Sequence, residues 1–332
     1  MKPILILFFV ASSIFGNAQT NQKQKGVCFV AGREEVTEKE IAALKKCNVT
    51  WISQTPFAFQ REATSSNITT NFSSDRIWWG ESDEGISRTT LLAKKAGIKT
   101  ILKPHIWVSK SWPGDIVMKS DTAWQSWFRL YGKFILHYAE LAEKNKIETL
   151  CIGTELKQTL KDEEWRKIIA SIRKVYSGKL TYAANFHEEF EKITFWDALD
   201  YIGVQAYFPL AKTKDATLGE IKEGWKEHIK AIESVHKKFN KPVLFTEIGY
   251  RSDSNGAMEP WMWPKENQKF ESAPEVQANC YKSFFETVWN KNWMMGAYFW
   301  KWYPHGPKRM ADIDFTPQGK PAEKIMAEWF AK

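Results

Sequence analysis

Eight short apolar runs, most of them separated by segments of helical periodicity, set the tightest limit on what this chain can fold into. The runs cover residues 26–32, 49–57, 98–107, 147–155, 179–186, 200–208, 242–250 and 294–302. They are rich in Val, Ile, Phe and Tyr, as expected of strands buried on both faces. Between them the helical patterns are punctuated by their own signals. Thr37 followed by Glu40 is a capping box opening a helix over 36–46. Helices are also expected over 87–96, stopped by Gly97, and over 122–145, 163–176, 218–239, 274–291 and 321–331. Strand–helix alternation implies parallel βαβ units, and eight units favour a closed (β/α)8 TIM barrel of the α/β class over an open doubly wound sheet. No glycine-rich dinucleotide or phosphate loop is present, which weakens a nucleotide-binding reading.

The chain has 332 residues, 43% of them hydrophobic, and one barrel of roughly 250 residues or more accommodates it as a single domain over 26–332. Residues 1–18 differ in character. Lys2 precedes the apolar stretch from Ile4 to Ala11, and small residues end in Gly16, Asn17 and Ala18. That is the form of a signal peptide cleaved after Ala18, too short to span a bilayer, so a secreted or periplasmic protein without a membrane anchor is expected. Residues 19–25 read as a disordered leader. The formal net charge of +8 is spread along helix faces, as at Lys94–Lys95 and Lys237–Lys238, which argues against a nucleic-acid surface. Cys28, Cys47, Cys151 and Cys280 have neither the spacing of a zinc site nor that of a disulfide framework, although one disulfide is permitted.

Within this frame two carboxylates stand out. Glu155 ends the fourth run and Glu247 the seventh, 247 − 155 = 92 residues apart, or three βα units. Parallel barrel strands send their carboxyl ends to one rim, where such residues converge. Two carboxyl groups about 5–5.5 Å apart suit cleavage of a glycosidic bond with retention of configuration. Glu155 is the candidate acid/base and Glu247 the candidate nucleophile. A single strand-end Glu would more often be a salt-bridge partner or a loop cap.

Other strand ends add candidate substrate-binding residues: Lys103 and His105 on one strand face, Asn185, Tyr207, Trp300 and Trp302. Tyr207 is placed to orient the nucleophile, His105 and Asn185 to bind sugar hydroxyls, and Trp300 to floor the subsite beside the cleaved bond. Lys103 is read as a buried barrel charge or a substrate contact. Seventeen Trp is a high count, and Trp78, Trp79, Trp107, Trp112, Trp261 and Trp263 fall in or beside three long post-strand segments, 58–87, 110–121 and 251–273. Aromatic faces stack on the apolar sides of pyranose rings, so Trp107 and Trp261 join the candidate binding set. Trp124, Trp127, Trp165 and Trp289 sit on helical patterns and are expected to be structural.

Several segments resemble the β-mannanases of glycoside hydrolase family 113, in the clan A retaining barrel glycosidases. They are Gly153-Thr154-Glu155-Leu156, the stretch from Phe195 to Val204, the stretch from Thr246 to Ser252, Phe299-Trp300-Lys301-Trp302, and the stretch from Asp314 to Pro321. The resemblance implies a (β/α)8 fold, retention, no metal or other cofactor, and β-1,4-linked mannan, glucomannan or manno-oligosaccharide substrates. It also implies that Glu155 matches the acid/base and Glu247 the nucleophile. Most clan A families carry Asn before the acid/base; here Thr154 stands there, so the contact to the axial 2-hydroxyl of mannose must come from elsewhere, with Asn185 the candidate. A monomeric endo-β-1,4-mannanase is expected. The rivals are an exo-acting mannobiohydrolase, another clan A β-glycanase, and a secreted glycan-binding barrel without catalysis.

Overall fold

The computed structural model describes residues 22–332 except 74, 263–270 and 308–309; residues 1–18, read above as a signal peptide, and Trp263 lie outside the described residues. Among the described residues there are ten strands: β1 (Gln24–Phe29), β2 (Trp51–Gln54), β3 (Phe57–Gln60), β4 (Lys99–Leu102), β5 (His105–Val108), β6 (Thr149–Thr154), β7 (Lys179–Asn185), β8 (Ile202–Gln205), β9 (Val243–Ile248) and β10 (Met294–Trp302). The helices are α1 (Glu38–Lys46), α2 (Asp83–Lys95), α3 (Asp121–Asn145), α4 (Asp162–Val175), α5 (Glu189–Lys192), α6 (Leu218–Phe239), α7 (Pro274–Thr287) and α8 (Pro321–Phe330). Eight strands close a parallel barrel in the order β1-β10-β9-β8-β7-β6-β4-β2, the (β/α)8 architecture expected. β3 and β5 form a separate parallel pair.

The period-two alternation of strand side chains divides the apolar residues into two cores. Inward-facing residues, among them Cys28, Trp51, Ile101, Cys151, Ala183, Leu244 and Tyr298, fill the barrel. Outward-facing residues such as Val27, Ile52, Leu150, Val204 and Phe245 meet the helices, where Trp127, Trp165 and Trp289 pack in the larger core. Trp124 packs against it, partly buried. All four cysteines are buried and unpaired.

Three differences from the sequence reading have physical causes. Gln24 and Lys25, read as leader, belong to β1: the Tyr298 hydroxyl donates to Gln24 Oε1 at 2.6 Å inside the barrel, and Lys25 Nζ donates to the Phe330 carbonyl. The runs 49–57 and 98–107 are each two strands, broken at Pro56 and Pro104, which have no N–H for the ladder. Because the prolines break both strands at matching positions, β3 and β5 continue the β2–β4 pairing beyond the rim. Lys103 N–H donates to the Gln54 carbonyl and His105 N–H to that of Pro56, both at 2.8 Å. Finally, α2 starts at Asp83 behind a Ser82 cap whose Oγ accepts from Gly85 N–H at 3.1 Å, a turn earlier than the apolar pattern indicates.

Candidate active site

Glu155 follows the last residue of β6, and Glu247 is the penultimate residue of β9. Both therefore emerge at the carboxyl-end rim, three strands apart around the ring. Each is held by a different kind of neighbour. Glu247, 3% exposed, accepts from the Lys103 ammonium on Oε1 and from the Tyr207 hydroxyl at 2.5 Å on Oε2. Burial alone would lower the pKa of Lys103, but the adjacent Glu247 outweighs it and the ammonium is held above its ordinary value. Lys103 thus keeps its charge and pairs with the nucleophile candidate. It is fully buried, which favours its reading as a barrel charge.

Glu155 has only neutral donors. Trp112 Nε1 donates to Oε2 at 3.0 Å and Asn185 Nδ2 to Oε1 at 2.7 Å. Burial raises the Glu155 pKa; these two hydrogen bonds oppose it, and the negative charge of Glu247 adds to it. The outcome is a carboxyl that retains its proton to higher pH than an ordinary glutamate. Its backbone is unusual too: φ is +52°, a left-handed conformation uncommon outside glycine, fixed by its N–H donating to the Ala183 carbonyl at 2.8 Å.

One segment touches both glutamates. From the β4–β5 break, Lys103 and His105 reach Glu247; farther along, Trp112 reaches Glu155. His105 Nε2 lies 3.8 Å from Glu247 Oε1 and has no hydrogen-bond partner although buried. Burial, and then the charge of Lys103, push its pKa well below the ordinary value, so the imidazole is neutral. Trp107, between His105 and Trp112, is 61% exposed, and Phe59 opposite it in register is 43% exposed. Phe57, His105, Phe59 and Trp107 share the open face of the β3–β5 pair, while Ala58, Ile106, Gln60 and Val108 are buried beneath.

The remaining sequence candidates divide. Trp300 is half-buried, packs on the barrel-interior core, and lies with its ring centroid 5.8 Å from Lys103 Nζ. Trp302 does not reach the site. β1 pairs Val27 with Phe299 but Phe29 with Trp302, and this bulge turns Trp302 into the outer core, 3% exposed. Asn185 is committed to Glu155 through its amide nitrogen, and its Oδ1 accepts from His187 N–H at 2.9 Å, so its amide oxygen is already engaged. Trp261 is 47% exposed, its ring 5.3 Å from that of Phe186. The role of Trp112 was open to sequence only through its place in a long post-strand loop. Among the described residues no group of three or more His, Cys, Asp or Glu side chains gathers to hold a metal ion.

Known structures share this fold. A structure of a GH113 β-1,4-mannanase complex aligns with a TM-score of 0.80 and 25% identity over 94% of this chain and 99% of that one. The GH113 β-mannanase AaManA from Alicyclobacillus acidocaldarius, in complex with ManMIm, gives a TM-score of 0.80 and 25% identity over 93% and 97%. A Ruminococcus gnavus β-glucuronidase, at 13% identity and a TM-score of 0.59 over half its length, shares the fold alone. No curated protein sequence matches significantly. The profile of Glycoside Hydrolase Family 113 matches residues 30–320, most of the chain, and the protein belongs to that family of glycoside hydrolases.

Proposed function

We propose that the protein is a retaining endo-β-1,4-mannanase acting on mannan, glucomannan or manno-oligosaccharides, with Glu247 as nucleophile and Glu155 as acid/base. The observation that carries this is the unequal setting of the two carboxyls. Glu247 accepts from the Lys103 ammonium and the Tyr207 hydroxyl, whereas Glu155, partly exposed, accepts from the neutral Trp112 and Asn185 N–H groups and has its pKa raised, chiefly by desolvation. In the first step a Glu247 oxygen bonds to the anomeric carbon, the glycosidic C–O bond breaks, and the Glu155 proton passes to the leaving oxygen. In the second, water attacks that carbon, Glu155 takes the water's proton, and the bond to Glu247 breaks. The β-mannanase structures that align over nearly the whole chain support mannan as the substrate class.

The aromatic face of β3–β5 supports binding of a chain longer than a disaccharide, because it runs from His105 beside Glu247 out to Trp107 and Phe59. The neutral, unpartnered His105 Nε2 suits a sugar hydroxyl. Residues 1–18 support export, with Gln19 the first residue of the mature chain.

Turnover of mannohexaose monitored by proton NMR tests the reading. The first-formed anomer is expected to be β, with internal cleavage products. Glu155→Ala and Glu247→Ala are each expected to lose at least about 10²–10⁴-fold in kcat. An α-anomer as first product, or wild-type turnover in either variant, would overturn it; cellohexaose as the preferred substrate would move the assignment to another β-glycan.

A further inference from the structure

Behind Glu155 lies a carboxyl that touches no substrate and is not part of the two-step chemistry. Glu189, the first residue of α5, is completely buried. Its Oε1 accepts from the Tyr182 hydroxyl and its Oε2 from the Asn185 backbone N–H, both at 2.6 Å. The Tyr182 hydroxyl oxygen in turn accepts from Leu156 N–H at 2.9 Å. One carboxyl therefore ties together the two chain ends that matter to Glu155. Through Tyr182 it holds Leu156, the residue after the left-handed Glu155 backbone. Through Asn185 it holds the residue whose amide donates to Glu155 Oε1.

The sequence makes room for this link. A Cβ at Gly153 would lie 2.6 Å from the Tyr182 ring and 2.8 Å from Trp165, so a glycine two residues before Glu155 is what lets Tyr182 lie across β6 toward Glu189. Sequence reading passes over Glu189 because His187-Glu188-Glu189 looks like a solvated polar turn, and Glu188 beside it is indeed exposed. A buried carboxyl with both oxygens engaged is costly to keep unless its partners repay it. Burial pushes its pKa up to about 8 against its two hydrogen bonds; Glu155 adds to the rise and Lys157 opposes it.

We propose that Glu189 is a positioning residue for proton donation: it fixes the orientation of Glu155 toward the leaving oxygen by clamping Leu156 and Asn185. The inference rests on Glu155 being the proton donor. Its test compares kcat/KM for an unactivated oligosaccharide with that for the 2,4-dinitrophenyl glycoside of the same sugar, whose leaving group departs without a proton. For Glu189→Gln the loss on the oligosaccharide is expected to be at least about tenfold larger than on the dinitrophenyl glycoside, with KM little changed, as positioning losses fall on the transition state. In a Glu155→Ala background the same substitution is expected to cost little more, since the two act as a unit. Equal losses on both substrates, no loss, or additive losses in the double variant would overturn the proposal. Should Glu189→Gln not fold, Tyr182→Phe carries the same expectation, because it cuts the clamp at the hydroxyl. The comparison runs on whichever β-glycan the wild type cleaves, so rejection of mannan as substrate leaves it intact. A Glu155→Ala enzyme with wild-type oligosaccharide turnover would instead reject the proton donor itself.

Discussion

At the scale of single residues, the chemistry depends on which donors each glutamate receives. Tyr207, two residues past β8, donates to Glu247 Oε2 while Lys103 donates to Oε1, which would orient the carboxylate proposed as nucleophile. A hydrogen bond to a charged group is worth about 1.5–3 kcal/mol, so Tyr207→Phe is expected to lower kcat/KM roughly 10- to 100-fold without lowering the melting temperature much. Steady-state kinetics and a thermal melt on one preparation check both parts. Trp112 acts on the other carboxyl and its effect has a sign. Glu155 is raised chiefly by burial, and the Trp112 N–H opposes that rise by stabilising the anion. With Glu155 as the proposed proton donor, activity is expected to fall as pH rises through the Glu155 pKa. Removing the indole donor destabilises the anion, raises that pKa further, and moves the basic limb of the kcat/KM profile of Trp112→Phe to higher pH. An unmoved or downward-shifted limb would mean that Trp112 does not bear on the acid.

At the scale of elements, what the sequence revealed and what it hid follow from locality. The eight barrel strands were legible because each is a continuous apolar run with both faces buried, and the capping box of Thr37 and Glu40 because it is a local pattern, present here in both hydrogen bonds. Glu155 and Glu247 were legible because they end such runs. The division of two runs at Pro56 and Pro104 carried a signal in the prolines, yet the resumption of pairing beyond them depends on two chains breaking in register, a fact neither segment holds alone. Trp302 was misjudged for a like reason, since a bulge between β1 and β10 reverses its face. The resumed β3–β5 pair leads to its own prediction. Trp107 and Phe59 are large, exposed apolar side chains side by side on one open face next to the catalytic rim. If they bind distal sugar units, Trp107→Ala and Phe59→Ala raise KM for mannohexaose several-fold, for about 0.5–1.5 kcal/mol of lost stacking, and leave kcat near wild type. A short substrate such as mannobiose, which does not extend that far, is expected to show no change; equal effects on short and long substrates would remove the face from the binding cleft.

At the scale of the whole molecule, the site exists only because the ring closes. Glu155 on β6 and Glu247 on β9 are set by their barrel neighbours, and the ring ends where β1, the first strand, pairs with β10, the last. That seam is unusually tight. Gln24 lies opposite Gly296 and Gly26 opposite Tyr298. A Cβ on Gly296 would meet the Gln24 backbone carbonyl at 2.4 Å, a contact no side-chain rotation relieves. The glycine lets β1 approach closely enough for Gln24 to accept from the Tyr298 hydroxyl within the barrel, where Tyr298 also meets Trp51 edge-on at 6.4 Å. Gly296→Val must therefore push the seam apart, at a cost of at least about 1–3 kcal/mol. Because Trp300 stands near the other end of the same strand, which pairs with β9, that displacement is expected to disturb the carboxyl-end rim as well. The expected result is a lowered melting temperature together with reduced activity, the lost activity returning in part when the variant is assayed well below its melting point. That profile is opposite to Tyr207→Phe, which loses turnover at every temperature while melting normally. A Gly296→Val enzyme with wild-type stability would show that β1 can leave the seam without opening the barrel, and that closure is not what holds the two glutamates at one rim.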